Sequence, residues 1–321
     1  MLVRVSRNCS WNQCAFCPVY KGKKPSRRGV DEVLSDLDAM REIYGDRPKT
    51  VFLQDANPLI SKPEVLVQIV KGVRERFPAV ERITAYARSR TLVRRSLSEL
   101  VMLHDAGLDR LHVGMESGCD QVLSLVKKGV SRAEQIEAGQ KAKQAGFELS
   151  EYVMPGLGGK ALWERHAEDT ASAICAINPD FTRLRSTAVI PGTPLADLVK
   201  QGKFIPCTEL GLIKETRLFL DKLRRAETRI ESDHILNLLM EIRGDIPRDL
   251  PSLVSVCDRL LGLDRQQRWT FILARRSGWM GSLDDFLVPR VNRDISRQVS
   301  VAKATDEQLE EICAELRMRM V

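Results

Sequence analysis

Through residue 186 the chain alternates short β-branched or apolar runs with longer amphipathic stretches. That order leaves few architectures open, because repeated strand–helix units build a parallel sheet with helices packed on it. Strands are predicted at Leu2 to Ser6, Thr50 to Gln54, Ile83 to Tyr86, Leu111 to Gly114, Glu148 to Met154 and Phe181 to Ser186. Between them, Val33, Leu34, Leu37 and Met40 share a helical face over 31–43, and Val65, Leu66, Ile69, Val70 and Val73 share another. Further helices are predicted over 98–106, closed by Gly107, over 132–145, closed by Gly146, and over 162–177, ended by Asn178-Pro179. Six such units predict an α/β fold, a partial (β/α)6 TIM-like barrel over 1–200, short of the closed eightfold form. Beyond Pro191-Gly192-Thr193-Pro194 the pattern is read as helical, over 215–227, 232–243, 251–261 and 306–319, which predicts a C-terminal helical cap over 201–321.

A chain of 321 residues with 43% apolar and 29% charged residues is an ordinary globular composition, which excludes disorder and collagen-like architecture. The formal charge of +7 favours anionic partners without demanding nucleic acid. No apolar stretch approaches the length of a membrane span, and Leu2-Val3-Arg4-Val5 lacks the pattern of a signal peptide, so a cytoplasmic chain with no membrane partner is expected.

Three of the eight cysteines crowd into Cys9-Ser10-Trp11-Asn12-Gln13-Cys14-Ala15-Phe16-Cys17, directly after the first strand. The others, from Cys119 to Cys313, never pair at ligand spacing and are expected as free buried thiols. Three thiols within nine residues can converge on one centre. A structural zinc site needs four donors, whereas three cysteines on a [4Fe-4S] cluster leave one iron open to a substrate or cofactor. A zinc site completed by a distant residue and a loop of unligated cysteines are the other readings.

At this spacing the sequence resembles the radical S-adenosylmethionine (SAM) enzymes, with four residues in the first interval where three are commoner and the usual aromatic Phe16 before the last cysteine. The resemblance implies that Cys9, Cys14 and Cys17 hold a [4Fe-4S] cluster and that SAM chelates the open iron. It further implies that an electron delivered by a partner such as flavodoxin or ferredoxin splits SAM to a 5'-deoxyadenosyl radical that abstracts hydrogen from substrate. After the second strand, Gln54-Asp55-Ala56-Asn57-Pro58 stands where many relatives carry Gly-Gly-Glu-Pro, which makes Asp55 and Asn57 candidates for the methionyl ammonium. The segment from Gly114-Met115-Glu116-Ser117-Gly118 to Lys127-Lys128-Gly129 is similar to that of oxygen-independent coproporphyrinogen oxidases, methylthiotransferases and elongator-type enzymes. By that likeness Glu116, with Ser117 beside it, faces the ribose hydroxyls and Lys128 the methionyl carboxylate. Tyr152 and the glycines around Gly156, then Arg185 and Ile190, would line the adenine side.

Tyr86 and Arg88 share a face at the end of the third strand and are candidates for substrate contact, with Arg90 extending it. Lys21 to Arg28 is a basic run suited to an anionic substrate or an acidic electron donor. His104 and His166 read as surface or packing residues, and His112 as a candidate for the inner face. In the tail, Ser232 or Asp233 is expected to cap a helix that places His234 and Asn237 on one face toward substrate, with His234 a proton donor near its ordinary pKa of about 6.5. The expected substrate is a small molecule. A tRNA- or protein-modifying enzyme is the alternative, and a non-catalytic iron–sulfur or zinc protein is the third reading.

Overall fold

The computed structural model describes residues 1–299, 301 and 304–320. In chain order the strands are β1 (Leu2–Arg4), β2 (Ser6–Arg7), β3 (Ser26–Arg27), β4 (Thr50–Gln54), β5 (Arg82–Ala87), β6 (Arg110–Glu116), β7 (Glu148–Val153), β8 (Phe181–Leu184), β9 (Arg229–Glu231) and β10 (Arg243–Asp245). The helices are α1 (Val30–Tyr44), α2 (Pro63–Arg76), α3 (Ser89–Arg94), α4 (Leu97–Asp105), α5 (Asp120–Leu125), α6 (Arg132–Gln144) and α7 (Gly159–Ile177), and then α8 (Pro194–Lys200), α9 (Glu209–Lys222), α10 (Leu250–Gly262), α11 (Arg265–Arg276), α12 (Leu283–Phe286), α13 (Pro289–Gln298) and α14 (Asp306–Met318). Eight strands form one mostly parallel sheet in the order β1-β4-β5-β6-β7-β8-β9-β10, while β2 and β3 make a separate antiparallel pair. This is the α/β class that the alternation of the sequence predicts.

Two compact units interleave along the chain: Met1–Met115 with Leu123–Tyr152 and Ala176–Asp180, and Glu116–Val122 with Val153–Cys175 and Phe181–Val321. In the first unit, period-two alternation buries Val3, Leu53, Ala85, Leu111 and Val113 completely. Phe52 and Tyr86 belong to the opposite face and are only half-buried. The register places Phe52 opposite Thr84 and Tyr86 opposite His112, so polar and aromatic residues of successive parallel strands line up in rows. Reciprocal capping boxes open α4 (Ser96 with Glu99) and α6 (Ser131 with Glu134), and Pro63 opens α2, each meeting the need of the first helical turn for acceptors or for fewer donors.

Two expectations are corrected. The first strand is broken into β1 and β2, because β2 turns to pair with β3 across the cysteine loop. The helix over 232–243 does not form; the segment is a loop between β9 and β10, which are antiparallel and lengthen the sheet, so the tail is not helical throughout. The physical reason lies in Ser232 and Asn237. Ser232 Oγ donates to Leu239 O at 2.7 Å and Asn237 Nδ2 donates to Leu184 O at 2.9 Å, side-chain bonds that compete with a helical ladder. Helix α9 also begins earlier than the sequence pattern indicates, where Thr208 Oγ1 accepts the Gly211 amide at 3.0 Å.

Candidate functional site

The cysteine loop lies between β2 and β3, and its shape is fixed by bonds to neighbouring segments of the first unit. Asn8 and Asn12 take positive φ angles of 61° and 48°, a region that asparagine tolerates better than most side chains. The Ala15 amide donates to Val126 O at 2.8 Å, and the Trp11 indole donates to Lys127 O at 2.8 Å. Lys21 Nζ closes the loop on the carbonyls of Asn12 and Cys14, both at 3.0 Å. Gly129, at φ 73°, lies so close under the indole that a Cβ would stand 2.3 Å from Trp11 Cζ2, so only glycine fits there. Cys9, Cys14 and Cys17 are half-buried and in no disulfide, and Cys9 Sγ accepts the Asn12 amide at 3.5 Å. Among the described residues, no group of three or more His, Cys, Asp or Glu side chains is gathered about one metal-sized point.

Charged and polar groups surround the loop. Asp55 accepts the Tyr20 hydroxyl at 2.8 Å and the Asn8 amide at 3.2 Å, so its carboxylate ties the loop after β4 to the cysteine loop. Burial, then the bond to Asp55, raises the Tyr20 pKa and keeps the phenol protonated. Asn57 is buried and donates to Thr91 Oγ1 at 2.8 Å, but its Oδ1 is buried with no partner. An orphaned acceptor of that kind costs about 1–3 kcal/mol and is relieved by an incoming donor. Lys128 is buried with its ammonium 6.0 Å from the Phe16 ring centroid. Arg88 donates to Lys128 O at 3.2 Å and stacks 5.3 Å above the Trp11 ring. Burial lowers its pKa, opposed by the nearby Cys9 and Cys14 thiols.

Along the strands of the same unit runs a row that sequence spacing alone did not assemble. Phe52 and Tyr86 have ring centroids 4.6 Å apart, Phe52 and His112 5.3 Å, and His112 and Tyr152 5.5 Å. His112 Nδ1 and the Tyr152 hydroxyl are hydrogen-bonded at 2.6 Å. The signal in the sequence was parity: each of these residues occupies the alternate position to a fully buried aliphatic.

The second unit holds the remaining candidates. Glu116 ends β6 at φ 66°, and its carbonyl accepts the Met154 amide at 2.9 Å. Ser117 is buried, and its Oγ accepts the Cys119 amide at 3.0 Å at the entry to α5. Gly156, at φ 89°, donates its amide to both Glu215 carboxylate oxygens at 3.0 Å. Glu215 also bonds His166 Nδ1 at 2.6 Å, and His166 Nε2 lies 3.4 Å from Glu116 O. His166 is therefore a packing residue with a definite task, since with Glu215 it fixes the backbone at Glu116 and Gly156. Ile190 is half-buried, and its carbonyl accepts the Thr193 hydroxyl at 2.6 Å at the start of α8.

Arg183 and Arg185 both bind Asp233, Arg185 at 2.6 Å. Burial works against ionisation of Asp233, but Arg185 and Arg183 outweigh it and hold the carboxylate below its ordinary pKa. Asp233 is thus an ion-pair anchor, not a helix cap. For His234, burial and then Arg185 push the pKa below 6.5, and Nδ1 accepts the Leu236 amide at 3.4 Å. The downward shift moves the imidazole away from the ordinary pKa on which the expected proton-donor role rested. Asn237 is corrected as well. Its Oδ1 accepts from Ser186 N and Oγ, both at 2.9 Å, and its Nδ2 donates to Leu184 O and Ser232 Oγ, which uses the full capacity of a buried amide and leaves nothing for substrate.

A profile of the Radical SAM superfamily matches residues 3–169, more than half of the chain, and the chain belongs to that family. A tRNA uridine(34) acetyltransferase of Methanocaldococcus infernus is 30% identical over 145 residues, 43% of this chain and 26% of that protein. A tRNA-2-methylthio-N(6)-dimethylallyladenosine synthase of Alkalilimnicola ehrlichii is 27% identical over 206 residues, 61% of this chain and 44% of that protein. Among solved structures, the cobalamin-dependent SAM radical enzyme OxsB shares the fold with a TM-score of 0.55 at 13% identity, covering 99% of this chain and 53% of that one. These matches span between a quarter and about half of the proteins concerned. The cofactors that family membership brings are a [4Fe-4S] cluster and SAM. The residues present fit them, with three unbridged thiols on one pinned loop and an unsatisfied buried acceptor at Asn57. No helix among the described residues is long and apolar enough to cross a membrane.

Proposed function

We propose that this chain is an enzyme that uses a cluster held by Cys9, Cys14 and Cys17 to cleave SAM reductively and abstract hydrogen from a small-molecule substrate. The observation that carries this reading is the cysteine loop, pinned at Ala15, Trp11 and Lys21 and carrying three half-buried cysteines within nine residues, none of them in a disulfide. When bound, the cluster supplies the electron that splits the sulfonium, and the 5'-deoxyadenosyl radical so released supplies the hydrogen abstraction. Asn57 Oδ1 accepts from the methionyl ammonium, and Lys128 pairs with the methionyl carboxylate. Glu116, held by the His166–Glu215 pair behind it, accepts from the ribose hydroxyls. Gly156, Arg185 and Ile190 line the adenine side. Substrate is taken to lie over the row of Tyr86, His112 and Tyr152, whose rings exclude water from one side. An electron donor such as flavodoxin or ferredoxin and a cytoplasmic setting, where thiols stay reduced, complete the proposal. A second reading, an RNA substrate, is favoured by the two relatives named for work on tRNA.

Glu116→Ala and Lys128→Ala each remove one charge-assisted contact worth about 1.5–3 kcal/mol, an affinity loss of roughly 10- to 150-fold. Calorimetric titration of reconstituted protein with SAM is expected to show that loss at unchanged iron content. Wild-type affinity in both variants would remove these residues from the cradle.

A further inference from the structure

Ser10 and Trp11 of the cysteine loop, with Leu59, Ile60 and Thr91, line a cavity of about 430 Å³ within the first unit. That volume falls in the range of roughly 300–1,000 Å³ typical of small-molecule sites. Four guanidinium groups, those of Arg88, Arg90, Arg94 and Arg95, share its wall with one carboxylate, Glu99, which is 3.1 Å from Arg95 and already engaged there. Three of the four are held by backbone carbonyls: Arg88 on Lys128 O at 3.2 Å, Arg90 on Gly129 O at 3.0 Å and Arg95 on Leu59 O at 2.8 Å. Arg88 and Arg90 each spend one of the five N–H donors of a guanidinium on that anchor, so they are ordered while donors remain; Arg95 also binds Ser61 O and Glu99, which leaves it two. Arg94 is exposed.

Arginines on an ordinary solvated face spread apart. Here they converge on a concave wall beside two hydroxyls, those of Ser10 and Thr91, at a cost in mutual repulsion that a bound anion offsets. A net excess of three positive charges matches a phosphate better than a single carboxylate, and guanidinium forks suit phosphate oxygens. Leu59, Ile60 and the Trp11 indole give the same cavity an apolar wall for a flat ring.

We propose that this cavity binds a nucleotide through its phosphate, either free or as one unit of an RNA strand. That the bound nucleotide is the substrate rests on the function proposed above; the binding itself does not.

The test titrates the full-length reconstituted protein with uridine 5'-monophosphate, with uridine and with a short oligouridylate, at two salt concentrations. Uridine probes avoid the adenosyl site. The monophosphate or the oligonucleotide is expected to bind at least about tenfold more tightly than uridine. An Arg90→Ala/Arg94→Ala variant is expected to lose that preference, with Arg94→Glu as the single exposed substitution should the double variant fold poorly. Tighter oligonucleotide binding with a steep salt slope identifies RNA as the source, and a monophosphate preference with a shallow slope identifies a free nucleotide. Equal binding of uridine and its phosphate, or unchanged binding by a folded arginine variant, overturns the proposal. On the same preparation, nucleotide binding without 5'-deoxyadenosine formation contradicts the proposed function alone, and the reverse result contradicts this site alone.

Discussion

Alanine at Cys9, Cys14 or Cys17 is expected to leave anaerobically reconstituted protein colourless and without bound iron. Each thiol supplies one of only three protein ligands, and a cluster deprived of one has two further iron corners to lose. The loop itself is held by bonds that none of the three side chains makes, from Ala15 to Val126, Trp11 to Lys127 and Lys21 to Asn12, so the variants are expected to keep their secondary structure. Cys175→Ala serves as the control, since Cys175 lies in α7 and its thiol points its hydrogen bond at Lys222 O. Iron and sulfide analysis reads the outcome. Equal iron loss in the control, or iron retained in all three loop variants, would falsify the cluster assignment.

The second large effect concerns stability and lies far from the cysteines in sequence. Arg276 and Glu209 are both fully buried and paired through two bonds, Nε to Oε1 at 2.9 Å and Nη2 to Oε2 at 2.7 Å. Burial works against ionisation of Glu209, and Arg276 with Arg317 overcomes it and lowers the pKa. Glu310, whose carboxyl is pushed up to about 7 by burial and then by Glu209, accepts the Glu209 amide. Arg276→Ala takes both guanidinium bonds from a buried carboxylate, leaving it the longer contact to Arg317 at 3.5 Å, and also removes the donor to Leu236 O, an anchor of the loop that replaces the expected helix. The expected loss is about 3–5 kcal/mol in urea denaturation. Combining it with Glu209→Ala is expected to cost less than the sum of the two single changes, because the second removes a buried charge that the first deprived of its two-bond partner. Additive losses would contradict a coupled pair.

What could be read in the sequence was local. The cysteine triplet, the strand ends that follow it and the glycines at Gly129 and Gly156 carry their meaning in short spacings, and strands such as Thr50–Gln54 lie where alternation puts them. Whatever depends on register between distant segments was not legible. The contact of His112 with Tyr152, the pairing of His166 with Glu215 and the seat of Asp233 between Arg183 and Arg185 each join positions about 40 to 50 residues apart. The tail misled for a physical reason. Ile235, Leu236 and Leu239 satisfy a helical period, yet Leu236 and Leu239 are buried by a loop whose polar side chains take over the backbone bonding. The flanking Arg-Ile-Glu and Arg-Gly-Asp runs were the sign of a strand pair, since their alternating charges meet across it, with Arg243 3.0 Å from Glu231.

Reductive cleavage of SAM at the Cys9–Cys14–Cys17 loop is read out as 5'-deoxyadenosine. Protein reconstituted anaerobically, reduced with dithionite and incubated with SAM is expected to release 5'-deoxyadenosine and methionine in equal amounts, dependent on the reductant and absent from Cys14→Ala. Protein carrying its full complement of iron and binding SAM, yet releasing no 5'-deoxyadenosine above the Cys14→Ala background, would contradict radical generation at this loop.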